Sequence, residues 1–420
     1  MSEATEAPKA RKRGQFRKGS MLPEPIPHPV NYTVISVDDH LVEPPHTFEG
    51  RLPKKLQDQA PRIVETDDGA EAWVLEGVQY PQIAIGATAG RPKDEWSTEA
   101  TRYSDIRPGC FDAKARMHDM DIDGVYASLN FPSLIAGMAG HLFYKGTKNA
   151  ELGHALIRAW NDWLYEEWAS VYPDRIIPCG LTWLGDPKLA AEEVRRNADR
   201  GFKALSFLGA PTEIGLPSMY GNYWDPLMQA CDETETVICL HAGSDTWNAA
   251  PASSPFEVSA LLFPLCSARI AADWLWSGIP SRFPDLKISL SEGGIAWVPM
   301  LIDRLHYVLD HSAASTEEGW QDKNFHPAEV FLRNFSFCSI EFGSGMEMRD
   351  KIGIDNIMLE TDYPHADSSW PNTQPSIASA LVGFTDEEIR KVTWQNASRI
   401  FRHPVPEELQ IPRIKTPVAA

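Results

Sequence analysis

No run of 18 or more apolar residues occurs in the 420-residue chain, and its N-terminus lacks the hydrophobic stretch of a secretory signal. Those absences predict a soluble, cytoplasmic protein with no membrane partner. Positive charge is scarce. Against 58 Asp and Glu stand 39 Lys and Arg, and the net charge of −19 repels phosphate backbones and excludes nucleic acid as the main partner. Six of the cations (Lys9, Arg11, Lys12, Arg13, Arg17, Lys18) lie in the first 20 residues against Glu3 and Glu6, so this tail is +4 and the remainder −23. Only six cysteines are present (Cys110, Cys179, Cys231, Cys239, Cys266, Cys338), with no CxxC pair or zinc-finger spacing. They read as buried reduced thiols. No GxGxxG follows the first strand-like run, and no Gly-x-Ser-x-Gly or Walker motif occurs, which leaves dinucleotide, serine-hydrolase and phosphate-loop chemistries without support.

What the chain does have is alternation. Strand-like runs fall at 33–38, 124–131, 176–184, 202–208, 236–241, 286–291, 335–341 and 356–361, separated by amphipathic stretches such as 148–171, 187–200, 255–277 and 296–311. Eight strands alternating with helices predict an α/β fold, a (β/α)8 TIM barrel, over residues 31–402. Residues 1–30, basic and then rich in proline, are expected as an extended, disordered arm, and 403–420 as a C-terminal tail. The connection from 44 to 111 is far too long for an ordinary loop after a strand. Within it, Pro61–Thr66 and Ala72–Gly77 flank an Asp67-Asp68-Gly69 turn and predict a hairpin, so the segment is read as an inserted cap over the barrel mouth.

Polar clusters stand at the C-terminal ends of four of these runs: Asp38-Asp39-His40 with Glu43, His241, Ser291-Glu292 and Glu360-Thr361-Asp362 with His365. Taken singly, an Asp at a strand end is ordinarily a cap and a lone His a hydrogen-bonded core residue. Their recurrence at equivalent strand ends is what those explanations do not cover, because ionisable groups on buried strands are costly unless a metal or partner charge neutralises them. Barrel active sites form at that end. Asp38, His40, Glu43, His241, Glu292, Asp362 and His365 are therefore the candidate metal ligands. Three imidazoles and up to four carboxylates oversupply a single catalytic zinc and suit two metals, with iron or manganese as acceptable as zinc.

The order Asp38-x-His40, His241, Glu292, Asp362 resembles the amidohydrolase superfamily, in particular the branch that includes aminocarboxymuconate-semialdehyde decarboxylase, over roughly residues 33–402. That branch shows a first-strand His-x-His or Glu-x-His, a strand-five His, a strand-six His and a strand-eight Asp. Here Asp38 replaces the first of these, and Glu292 stands in the strand-six position. Lys203 lies on strand four, where some relatives carry a bridging carboxylated lysine, but its Gly-Phe-Lys-Ala context puts it at the strand's start. The Asp-x-His-x-x-Glu-Pro start at 38–44 and the Glu-Thr-Asp-Tyr-Pro-His-x-Asp-Ser-x-Trp-Pro segment at 360–371 also resemble TIM-barrel non-haem diiron monooxygenases of diterpenoid biosynthesis.

The resulting expectation is an enzyme with two iron ions that activates dioxygen, with an electron donor, to hydroxylate a bulky hydrophobic substrate such as an acyl-CoA. Asp362, Glu292 and His365 would be its catalytic groups, and Asp38 would be a ligand or the orienter of His40. The alternatives are a hydrolase or non-oxidative decarboxylase using Zn or Mn, and a catalytically inactive binding barrel. A homo-oligomer is compatible with all three. Trp247, Trp274, Trp276 and Trp370 are candidates to line an apolar pocket, whereas His118, His306 and His311 read as packing or outer-face residues.

Overall fold

Parallel strands covered by helices on one face and by one another's side chains on the other are buried throughout, and those of this chain are buried at every position. A computed structural model describes residues 20–411 apart from 81–82, 85, 97–101, 245–246, 312–318 and 341–342. Much of the expected basic arm (1–19) and half of the tail (412–420) lie outside the described residues. After β1 (Ile35–His40) come three antiparallel strands of the insertion, β2 (Arg62–Glu65), β3 (Glu71–Leu75) and β4 (Val78–Tyr80). The chain then supplies β5 (Ala127–Phe131), β6 (Ile176–Ile177), β7 (Cys179–Gly180), β8 (Ala204–Phe207), β9 (Val237–His241), β10 (Ile288–Ser291), β11 (Phe335–Ser339) and β12 (Ile357–Leu359).

Pairing is parallel in the order β1-β5-β6 and β7-β8-β9-β10-β11-β12. Pro178, which has no amide proton to donate, divides what the sequence reads as one strand into β6 and β7. The ring closes between its last and first strands: Asp362 N donates to Asp38 O at 2.9 Å and His40 N to Tyr363 O at 2.6 Å. Counting β6 and β7 as one, eight strands make the (β/α)8 barrel. The two ionisable clusters furthest apart in sequence therefore meet at one seam.

Helices follow the strands. The first, Ala113–Asp123, begins at Asp112, whose carboxylate accepts from Ala115 N at 2.7 Å, and stops at Gly124, left-handed at φ 71. The expected helix over 255–277 is two helices, Phe256–Leu262 and Pro264–Trp276, bent by 45° at the proline. Among the described residues no single helix is long and apolar enough to cross a membrane.

The insertion shares the barrel's core, since Trp73 of β3 packs edge-on against Phe48 at 5.8 Å and Phe48 against Phe143 at 5.7 Å. Residues 20–31 run extended along this face. Ser20 donates to Glu95, Glu24 pairs with Arg107 and His118 at 2.9 and 2.8 Å, and Asn31 N donates to Gln374 at 2.8 Å.

Candidate metal centre

Strand β1 carries a bulge between Ser36 and Asp39, and its polar end is divided between two jobs. Asp39 accepts from Ser36 Oγ (3.0 Å), Thr361 Oγ1 (2.6 Å) and Tyr363 N (3.1 Å), with the buried Arg116 guanidinium 4.0 Å away. It ties the first strand to the last. Burial lifts the Asp39 carboxyl to about 6 against the opposing pull of Arg116. Arg116 also donates to the carbonyls of Gly109 and His40 and lies 4.4 Å over the Tyr363 ring.

Asp38 and His40 face a shared centre. His40 Nε2 lies 3.5 Å from Asp38 Oδ1, 3.3 Å from Asp362 Oδ1 and 3.1 Å from His241 Nε2. His241 Nε2 is in turn 3.5 Å from Asp38 Oδ2 and 3.2 Å from Glu292 Oε2. His365 completes the set, with Nδ1 at 2.9 Å from Asp362 Oδ1 and its ring centroid 4.0 Å from that of His40, tilted by 32°. Asp38, His40, His241 and Asp362 are each at most 3% exposed.

The tautomers decide what this crowding means. His241 Nδ1 is 2.6 Å from the Ala242 carbonyl, and His40 has its backbone partner at Pro132. Each δ nitrogen must donate, so each ε nitrogen presents a lone pair. Two lone pairs 3.1 Å apart repel unless a cation lies between them, and that separation suits two ligands each about 2 Å from one ion. Neither imidazole takes up a proton to relieve the contact: burial depresses both, His241 to about 3. The carboxylates point the same way. Both oxygens of Asp38 and Oδ1 of Asp362 are buried with no hydrogen-bond donor. Burial first, then Glu360, Asp362, Glu292 and Asp39, push Asp38 well above the usual carboxylate range. An uncompensated acidic cluster of this kind is what a divalent cation neutralises.

Three donor groups have their atoms within 4.8 Å of one another: Asp38–His40–His241, His40–Asp362–His365, and Glu292–Asp362–His365–Asp367. Of the seven residues singled out in the sequence, six fall in these groups. Glu43 does not. It follows the end of β1, and its Oε1 accepts from Trp160 Nε1 at 2.9 Å and from Ser133 N at 3.2 Å, while burial lifts the carboxyl to about 7. Asp367 was not singled out, although it lies in the segment quoted above. Glu360, named in the last polar cluster but not among the candidate ligands, is a supporting group: its Oε2 accepts from Glu292 N at 3.0 Å.

Backbone strain marks the same residues. Glu292 and Asp362 are left-handed at φ 55 and 52, a conformation that costs roughly 1–3 kcal/mol for a residue other than glycine and that clusters at active sites. Lys203 precedes β8 at the opposite end of the barrel, beside Arg402 and Glu235. The tryptophans are dispersed: Trp274 is core and donates to Gly209 O, Trp276 packs on Trp320, Trp370 lies over Arg107, and Trp247 is the most exposed of the four.

A barrel with imidazoles and carboxylates gathered at its C-terminal rim agrees with a match to the amidohydrolase family over residues 64–403. The chain belongs to the amidohydrolase family. Among solved structures, an amidohydrolase from Mycobacterium avium subsp. paratuberculosis K-10 is 25% identical, with a TM-score of 0.67 over 89% of this chain and 100% of that one. A 5-carboxyvanillate decarboxylase from Sphingomonas paucimobilis shares the fold at 20% identity and a TM-score of 0.58, over 88% and 99% of the two chains. So does a dihydroxybenzoic acid decarboxylase from Polaromonas sp. JS666, holding manganese and 2-nitroresorcinol, at 18% identity, TM-score 0.58, and 90% and 99% coverage. The family resemblance read from Asp38, His40, His241 and Asp362 is thus confirmed. None of these relatives is described as an oxygenase, so the expectation of two irons and dioxygen gains no support from them.

Proposed function

We propose that this amidohydrolase is a metal-dependent enzyme that decarboxylates or hydrolyses a small organic acid at a manganese or zinc centre. Asp38, His40, His241 and Asp362 would hold the first cation, and Glu292, Asp362, His365 and Asp367 a second. The observation that carries the reading is the pair of ε nitrogens of His40 and His241, 3.1 Å apart and flanked by unpartnered carboxylate oxygens. The bound metal would polarise a carboxylate or carbonyl, or bring the pKa of a water near neutrality. Asp362 touches both His40 Nε2 and His365 Nδ1, so a proton taken from substrate can be held on this group and returned. Phe131, with ring centroids 5.8 and 5.1 Å from His40 and His241, supplies an apolar wall. Decarboxylases of aromatic acids with this fold support a planar, anionic substrate.

A second reading is favoured by one specific feature. Asp38, Glu292, Asp362 and Asp367 supply four negative charges, the number that two divalent cations balance, and all donors are oxygen or nitrogen. That donor set also suits two irons, dioxygen and an electron donor acting on a bulky hydrophobic substrate.

Metal content and oxygen dependence separate the two readings. Protein reloaded separately with Mn, Zn and Fe(II) is assayed on phenolic carboxylates and apolar acyl thioesters, with and without dioxygen and a reductant. Turnover of a carboxylate that is indifferent to dioxygen is expected. Hydroxylation that requires dioxygen and two irons per chain would replace the first reading with the second, and failure to bind any divalent metal would sink both.

A further inference from the structure

The insertion does more than cover the barrel. Its segment Gly86–Ala89 reaches the last loop of the site, where Thr88 N and Ala89 N both donate to the Pro364 carbonyl at 2.9 and 3.0 Å. Gly86 sits against His365: a Cβ added at Gly86 would lie 3.0 Å from His365 Cδ2 and 3.5 Å from Cγ. The imidazole is therefore enclosed by the Gly86 backbone, the His40 ring at 4.0 Å and the Asp362 carboxylate at 2.9 Å. Gly86 is left-handed at φ 67. Absence of a side chain here thus serves the local turn and the approach to the ring together.

We propose that the cap is part of the metal centre's scaffold, with Gly86 a positioning residue that sets the His365 ring through direct contact. The inference rests on the metal-dependent reading above. A methyl group at residue 86 obliges the rigid ring to move by a few tenths of an ångström, and metal–ligand distances tolerate only about 0.2 Å. Partners that orient a ligand are commonly worth 10- to 100-fold in metal affinity. Coupling is reciprocal: if docking of 86–89 favours metal binding, bound metal must favour docking to the same extent.

The test uses the full chain stripped with chelator and titrated calorimetrically with Mn²⁺ and with Zn²⁺, in the parent, Gly86→Ala and Gly90→Ala. Gly90 is the control for backbone strain, since it is left-handed at φ 77 in the same segment, and the atoms nearest a Cβ there, on Arg107 and Met21, are 3.6 Å away. Gly86→Ala is expected to weaken at least one divalent site by tenfold or more, and Gly90→Ala to stay within twofold of the parent. Equal affinities in all three proteins, or equal losses in both variants, would overturn the inference. A parent that binds no divalent metal would instead overturn the underlying metal reading. Should Gly86→Ala fail to fold, hydrogen exchange of residues 86–89 in the parent decides: slowing by tenfold or more on addition of Mn²⁺ is expected, and unchanged exchange in a metal-loaded parent overturns it.

Discussion

Asp362→Asn is expected to strip the protein of metal while leaving it folded, and more stable than the equally stripped parent. Asp362 is the one carboxylate shared by the His40 and Glu292 donor groups, with Oδ1 at 3.3 Å from His40 and 2.9 Å from His365. Removing a direct ligand should cost at least about 100-fold in metal affinity, since partners one bond further out already cost 10- to 100-fold. Metal-dependent turnover falls with it. The stability gain comes from the neighbours: Asp362 is among the charges that push Asp38, Glu292 and Glu360 above the ordinary carboxylate range, after burial itself. Relief of one pKa unit in a single neighbour is worth about 1.4 kcal/mol. Asparagine is chosen because Asp362 is left-handed at φ 52, a conformation that asparagine adopts at less cost than alanine. Asp362→Ala should lose metal equally while surrendering part of that stability. Elemental analysis and thermal melts in chelator check both statements. Full metal occupancy in Asp362→Asn would show that the centre is built from other residues.

How much of this was legible depended on whether a residue's partner was near it in sequence. His241 and Asp362 could be found because an apolar run ends in an ionisable group at each, and the recurrence of such endings at equivalent strand ends is what capping and core hydrogen bonding do not cover. The barrel followed from eight such runs. Glu43 shows where the argument stops. Its spacing from His40 invites a place at the centre, yet the strand ends at His40, and Oε1 of the carboxylate accepts from Trp160, 117 residues away, and Ser133, while Oε2 is buried without a donor outside the three donor groups. Asp367 was invisible for the converse reason. It joins Asp362 and His365 through a loop, and the 362–365–367 spacing fits neither strand nor helix periodicity. The left-handed backbones of Glu292 and Asp362 have no glycine to announce them, and the approach of Gly86 to His365 spans 279 positions. Local periodicity places strand ends; the contacts that aim side chains across the mouth are set by tertiary packing.

The stripped protein should become less stable as pH rises from about 6.5 to 8, the reverse of what acid-labile carboxylates ordinarily produce. Burial above all holds Glu43 at about 7 and Glu360 at about 8, and lifts Asp38 and Glu292 well above their usual range. The folded state therefore keeps protons that unfolded carboxyls give up near pH 4, so stability falls as pH climbs towards the folded values. His40 and His241 act in the opposite sense. Their folded values are depressed, so stability rises with pH only until the unfolded imidazoles have lost their protons, near 6.5. Above that point their contribution is flat. Burial lowers His365, but Asp362 and its acidic neighbours carry it above the ordinary range, which adds to the carboxyl trend. Each carboxyl that still holds its proton contributes a slope of up to about 1.4 kcal/mol per pH unit. Metal binding demands the opposite protonation state, carboxylates ionised and imidazoles neutral, so affinity grows over the same interval. The gap between melting temperatures of manganese-loaded and chelator-treated protein should widen steadily from pH 6.5 to 8. A stripped protein whose melting temperature is flat or rising across that window would mean that the buried carboxyls at the barrel rim are already compensated without a cation, and the case for a metal there would fail with it.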